Sequence, residues 1–202
     1  MSCRQAVSLH TAALAAVCVL AIHPGAGATA STEDRLVPCM VCHGEGGSGA
    51  DPHTPLLAGQ PSFYAITQLF LLREGRRSNE AMTAIAKGMT DDDLRAFSDL
   101  IGKLPPPAIP ANPIDPSRMA RGATLAQKHR CASCHGTDYA GGKQVARLAH
   151  QRETYLTKVL VEFRSGKRLG YTSAMSETLT GILPDALGDL AHYLANLPTS
   201  AP

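Results

Sequence analysis

The 202-residue chain contains no tryptophan and only nine other aromatics, five tyrosines and four phenylalanines. So few rings argue against one large aromatic core. Neither charge sign dominates: 19 Lys and Arg face 17 Asp and Glu, a net charge of +2. No basic run is interleaved with aromatics, so nothing supports nucleic-acid binding. No stretch alternates at period two, which leaves sheet architectures without a signal. Beyond residue 30 no apolar run reaches the ~20 residues that a membrane-spanning helix needs. Cysteine is scarce as well. Of six, Cys3 and Cys18 fall in the first eighteen residues, and the other four form two pairs.

The first thirty residues have the layout of a secretory signal. Arg4 supplies a positive start, Ala12 to Ile22 is apolar, and Ala28-Thr29-Ala30 offers a small-residue cleavage site before Ser31. The alternative is an uncleaved membrane anchor, for which the apolar stretch is short. Cys18 has no convincing lipoprotein motif ahead of it. The sequence therefore predicts a signal peptide over 1–30 and export to the periplasm. Removal of that segment leaves 172 residues and only the four paired cysteines. An oxidising compartment favours disulfides, yet every remaining cysteine belongs to a motif with another use.

That motif is Cys-x-x-Cys-His, present as Cys39-Met40-Val41-Cys42-His43 and as Cys131-Ala132-Ser133-Cys134-His135. It is a c-type haem attachment sequence. Two cysteines three positions apart reach the two vinyl groups of one porphyrin as thioethers, and the following histidine ligates the iron. A Cys-x-x-Cys pair can also be half of a zinc site, but four cysteines drawn together around zinc leave both histidines unexplained. A thioredoxin-like redox pair needs a βαβ context that is not visible. Two covalently attached haem c groups are therefore predicted, with Cys39, Cys42, Cys131 and Cys134 as attachment points and His43 and His135 as proximal ligands.

The rest of the chain repeats with the motif. Gln60, Tyr64, Arg73 and Gly75 match Gln151, Tyr155, Arg164 and Gly166 at an offset of 91, and Arg76-Arg77 match Lys167-Arg168. Met82, Gly88 and Leu94 match Met175, Gly181 and Leu187 at an offset of 93. Between the copies runs the proline-rich segment 105–116, of the kind that forms a semi-rigid spacer. The predicted organisation is an N-terminal domain over 31–104, the linker 105–116 and a C-terminal domain over 117–202. Domains of this size are near the lower limit for independent folding, so each haem is expected to serve as an apolar core.

Helix signals recur at matching places. Ser62 to Glu74 ends at Gly75 and Glu153 to Ser165 ends at Gly166. Thr90 is an N-cap ahead of Asp91, Asp92 and Asp93, and Leu94, Phe97, Ile101 and Leu104 make an apolar face. Pro184 opens the corresponding helix of the second copy, and Ser117 to His129 also reads as helix. The fold class is all-α.

A low-spin electron-transfer iron needs a sixth ligand, and methionine sulfur raises the potential. Met82 lies 39 residues after His43 and Met175 lies 40 after His135, at matching positions of the repeat. They are the candidate axial ligands. Met89 is the rival in the first copy, but Ile182 stands at its matching position, which points to packing. His53, His129, His150 and His192 lack matched partners and are read as surface or packing residues.

These features together resemble the periplasmic di-haem cytochromes c4, built from two class I cytochrome c domains. The resemblance covers most of the chain after residue 30. It rests on the doubled motif, on Pro55-Leu56-Leu57-Ala58-Gly59-Gln60 followed by Tyr64, on Arg73-x-Gly75, and on Met82 ahead of Met89-Thr90-Asp91-Asp92-Asp93-Leu94. It implies that the carbonyl of Pro55 accepts a hydrogen bond from His43, a contact that tunes the metal. In the second copy Ala146 replaces that proline and His150 replaces Gly59, so the two haems are expected to differ in potential. It also implies that the domains pack with their haems close enough for internal exchange.

Residues 31–104 carry a net charge of −3 and 105–202 carry +4. Such an imbalance either keeps each domain soluble or offers different faces to two redox partners. Arg76, Arg77, Lys167 and Arg168 are alternatively placed near haem propionates. The leading functional reading is a soluble shuttle of single electrons, not an enzyme, between a quinol-oxidising complex and a terminal oxidase or reductase. Peripheral association with the membrane is compatible with it. A cytochrome subunit of a periplasmic dehydrogenase is the alternative. Loss of a methionine ligand would promote a third reading, a catalytic haem.

Overall fold

The computed structural model describes residues 31–48, 51–108, 113–171 and 173–198, so the segment 1–30 expected to be a signal and positions 109–112 of the expected linker lie outside the described residues. Nine α-helices and two short 3-10 turns are present among them, with no strand beyond a single bridge between Gly142 and Val145. None of these helices is long and apolar enough to cross a membrane.

In the first copy α1 (Thr32–His43) starts from a capping box in which Ser31 and Asp34 satisfy each other's backbone N–H. Then come α2 (Ser62–Arg73), α3 (Glu80–Ala86) and α4 (Asp91–Lys103), with Asn79 and Thr90 capping α3 and α4 through their side chains. The second copy has α5 (Pro116–Lys128), α6 (Ala132–His135), α7 (Glu153–Arg164), α8 (Ala174–Thr180) and α9 (Leu187–Ala195). Helices α2 and α7 end alike. Gly75 and Gly166, at φ +66° and +70°, let the chain turn back so that the N–H groups of Arg76 and Lys167 reach the carbonyls of Leu71 and Glu162.

The α2, α4, α5 and α7 boundaries follow the sequence pattern. Two short helices, α3 and α8, carry Met82 and Met175 and had no sequence signal of their own. Pro184 opens a 3-10 turn over Pro184–Ala186, and the α-helix itself begins at Leu187. No side chain caps Leu187, whereas Thr90 supplies a strong cap at the matching place in the first copy.

Packing is led by α5 against α9, α2 against α4, and α7 against α9. The two cores are unequal. The C-terminal one buries Leu156, Leu160, Phe163, Leu179, Ile182, Leu187, Leu190 and Leu194 among others, whereas the N-terminal cluster centres on Leu69, Leu94 and Phe97. Leu36, Ile66, Met82 and Met89 stand half-buried around the smaller cluster.

The copies face each other through a reciprocal contact. The side-chain amide of Gln60 pairs with the backbone of Arg147, Nε2 donating to O and Oε1 accepting from N, both at 3.1 Å. The amide of Gln151 pairs in the same way with Leu56, at 2.9 and 3.0 Å. Positions 56 and 147, like 60 and 151, are equivalent in the repeat, so the interface has approximate two-fold character. Gly59, at φ +67°, lies against Pro106 and Arg147 in this contact, where a Cβ would come within 2.9 Å of Pro106 Cα. His150 holds the equivalent left-handed conformation, φ +60°, at a strain cost of order 1–3 kcal/mol. Its buried ring meets that cost with a 2.8 Å bond from Nε2 to the Leu197 carbonyl.

Candidate haem sites

Each Cys-x-x-Cys-His segment is helical up to its histidine, which places the two cysteines one turn apart on the same face. In the first copy α1 runs unbroken through Cys39, Cys42 and His43, even with Pro38 inside it. In the second, the chain breaks at Arg130 (φ +53°) and restarts as α6. Directly after each histidine stands a left-handed glycine, Gly44 (φ +79°) or Gly136 (φ +83°). Its N–H closes the helical turn onto the carbonyl of Met40 or Ala132. A side chain there would be strained. No disulfide joins the four cysteines; Cys42 and Cys134 are exposed and Cys39 and Cys131 half-buried.

His43 and His135 are both buried. His43 Nδ1 lies 2.9 Å from the carbonyl of Pro55, as the resemblance implies. The replacement of that proline by Ala146 changes nothing in the contact: His135 Nδ1 lies 2.9 Å from the Ala146 carbonyl. A carbonyl only accepts, so Nδ1 carries the proton and Nε2 is left with its lone pair for a metal. Burial holds both imidazoles below their ordinary pKa, against the raising effect of the carbonyl bonds, and the Arg77 charge lowers His43 further. The lowered direction favours the neutral imidazole, the form an iron ligand must take.

Met82 packs half-buried on the Leu69–Leu94–Phe97 cluster, and Met175 packs half-buried on the C-terminal core. Met89 touches the same cluster as Met82. A pair of arginines that sequence reasoning did not interpret aligns the two copies here. Arg73 donates to the Met89 carbonyl at 3.3 Å, and Arg164 donates to the Ile182 carbonyl at 2.8 Å. Met89 and Ile182 are thus structural equivalents, which leaves Met82 and Met175 as the matched sulfurs.

Between the copies lies a donor-rich cluster. Arg77 donates to Gln68 Oε1 at 2.9 Å and to the Tyr155 hydroxyl at 3.1 Å, and Tyr171 donates to the same Gln68 oxygen. Arg168, its side chain only 6% exposed, pairs with Glu162 at 2.8 Å. Gln68 Nε2 and Arg168 Nε are buried donors with no protein acceptor. Two inward-turned guanidinium groups, Arg168 buried and Arg77 half-buried, against one carboxylate, with donors to spare, suit the carboxylates of haem propionates. The chemistry of the thiols, the neutral imidazoles and this cluster together fits a porphyrin on each side. Only Arg77 and Arg168 of the two basic pairs turn inward; Arg76 and Lys167 are exposed. His192 is buried too, its Nδ1 2.7 Å from Glu153 and its Nε2 accepting from the Asp115 N–H, so it is a packing residue. Among the described residues no three of His, Cys, Asp and Glu converge as a metal cage, so a four-thiolate zinc site finds no geometry.

Comparison with known proteins agrees with this reading. The Cytochrome c family profile matches residues 119–198. The cytochrome c4 of Thiocapsa roseopersicina is 31% identical over 173 residues, which is 79% of this chain and 86% of the relative. A thiosulfate dehydrogenase electron acceptor of Thiomonas intermedia (strain K12) is 29% identical over 182 residues, 85% of this chain and 83% of the relative. The solved cytochrome c4 of Acidithiobacillus ferrooxidans superposes with a TM-score of 0.71 at 28% identity, covering 80% of this chain and 99% of that one. The two all-α halves are therefore tandem cytochrome c domains with two covalently bound haem c groups, and the chain belongs to the cytochrome c4 family of electron carriers.

Proposed function

We propose that this protein is a periplasmic shuttle of single electrons, in which one haem is held by Cys39, Cys42, His43 and Met82 and the other by Cys131, Cys134, His135 and Met175. The domains are taken as 31–104 and 117–202 around the linker 105–116. The observation that carries the reading is the doubled arrangement of a buried, Nδ1-anchored histidine one residue after a same-face cysteine pair. The haem iron supplies the one-electron couple. The chain keeps His43 and His135 in one tautomer through Pro55 and Ala146, which limits rearrangement on electron uptake. Arg77, Arg168, Gln68 and Tyr155 supply donors for propionates at the domain interface. The protein passes electrons without transforming a substrate, and the −3 and +4 domains suit separate docking of a donor such as a quinol-oxidising complex and an acceptor such as a terminal oxidase. The similarity to a thiosulfate dehydrogenase electron acceptor favours one alternative partner, a periplasmic dehydrogenase.

Two measurements test the reading. Mass spectrometry of protein from a haem-ligating host should find residues 31–202 carrying two haems, and four free thiols would refute it. In the oxidised protein, Met82→Ala and Met175→Ala should each remove half of the far-red charge-transfer band of methionine-ligated iron; a Met82→Ala spectrum identical to the parent refutes that ligand.

A further inference from the structure

The reciprocal interface contact reaches both histidines through single peptide units. The carbonyl of Pro55 and the N–H of Leu56 belong to one peptide group. Its oxygen accepts from His43 Nδ1 at 2.9 Å, and its N–H donates to Gln151 Oε1 of the other domain at 2.9 Å. The Ala146–Arg147 peptide repeats the arrangement: its oxygen accepts from His135 Nδ1 at 2.9 Å, and its N–H donates to Gln60 Oε1 at 3.1 Å. Both glutamines are buried, at 7% and 4% exposure for Gln60 and Gln151, so water competes little for either bond.

We propose that Gln151 and Gln60 are crossed positioning residues, each setting the reduction potential of the haem in the opposite domain through a chain of histidine, peptide and glutamine amide. The inference rests on the assignment of His43 and His135 as proximal ligands. Donation of the peptide N–H to an acceptor polarises the group and makes its carbonyl a better acceptor. A better acceptor draws the Nδ1 proton away, so the imidazole becomes a stronger electron donor to iron and favours the ferric state. Each domain thus lowers the potential of the other by docking to it. The effect is unequal. Gln151 makes the shorter bonds, although its oxygen also accepts from the Arg152 N–H at 3.0 Å.

The test uses the two-haem protein with Gln151→Met, Gln151→Glu and the mirror variant Gln60→Met. Each haem is titrated separately through its paramagnetically shifted methyl resonances, and the Nδ1 protons of His43 and His135 are followed in the reduced state. Gln151→Met should raise the potential of the N-terminal haem, by on the order of threefold in its one-electron equilibrium constant. It should also move the His43 Nδ1 proton upfield, with His135 unmoved. Gln151→Glu keeps an acceptor oxygen and should move the His43 proton the opposite way. Gln60→Met should act on the C-terminal haem, and by less. A purely structural role predicts the same direction for Gln151→Met and Gln151→Glu, since both lose the Nε2 bond. Equal movement of both haems, a shift confined to the haem of the mutated domain, or a stationary His43 proton would each overturn the proposal. Should Gln151→Met not fold, the other two variants decide by the same signs. If the unmutated protein carries two haems but its His43 and His135 ring protons lack the ring-current shifts of iron ligands, the ligand assignment itself fails and this proposal with it.

Discussion

Gly122 is the tightest point of the α5–α9 crossing, and Gly122→Ala measures how closely that crossing must shut. An added Cβ would lie 2.3 Å from the Asp189 carbonyl oxygen and 2.4 Å from Tyr193 Cβ, where ordinary contact begins at 3.4 Å. The helices would have to part by about 1 Å at this point. They are not free to do so. Arg118 and Arg121 both bond Asp189, at 3.2 and 2.5 Å, and Arg118 also donates to Glu153 and to the Gly188 carbonyl. Overpacking costs about 1–3 kcal/mol, and alanine returns about 1 kcal/mol of helix propensity over glycine. Because the obstacle is backbone, the overpacking cost sits at the upper end, and the net loss is about 2 kcal/mol. A domain of this size loses about 4–8 °C in Tm per kcal/mol. Thermal unfolding of the holoprotein by far-ultraviolet circular dichroism reads the effect in the transition of the C-terminal domain. Gly88→Ala is the control, since no atom lies within 4 Å of its added Cβ and its φ is ordinary. A Gly122→Ala protein as stable as the parent would refute the reasoning.

Leu179 is 1% exposed in the C-terminal core, so Leu179→Ala should cost about 2–5 kcal/mol in urea unfolding. Leu169→Ala, at a 65% exposed position, should stay within about 0.5 kcal/mol of the parent. Hydrogen bonding from Arg121, joined by Arg118, holds the Asp189 carboxyl below the usual carboxylate range. Its folded-state pKa is lowered, so its stabilisation is complete above the unfolded value of about 3.9 and fades as pH falls through the folded one. Asp189→Asn should therefore lower Tm at pH 7, and the gap to the parent should narrow as pH drops below about 4; a gap independent of pH would contradict this.

The histidine environment shows how far local pattern reaches. The sequence placed Pro55 beside His43 by resemblance, and Ala146 stands where that proline would fall in the second copy. The contact persists because it needs only a backbone carbonyl, which every residue supplies. Likewise His150 replaces Gly59. The structure lets it adopt the same left-handed backbone because its ring finds the Leu197 carbonyl, a partner 47 residues away. Helices α3 and α8 were invisible beforehand because seven residues are too short for an apolar period to register.

What the chain determined by itself is whatever depends on neighbours along it: the cysteine pairs on one helical turn, the histidine and left-handed glycine behind them, the capped helices and the doubling. Each is a matter of a few bonds and φ angles. Only the folded molecule decided which basic residues turn inward, that the cores are unequal, and that Gln60 and Gln151 each grip the peptide behind the other domain's histidine. Those outcomes join positions 87 and 95 residues apart, and no local preference encodes them. They follow from burial, which removes water and leaves the Leu56 and Arg147 backbones as the partners that each glutamine amide meets across the interface.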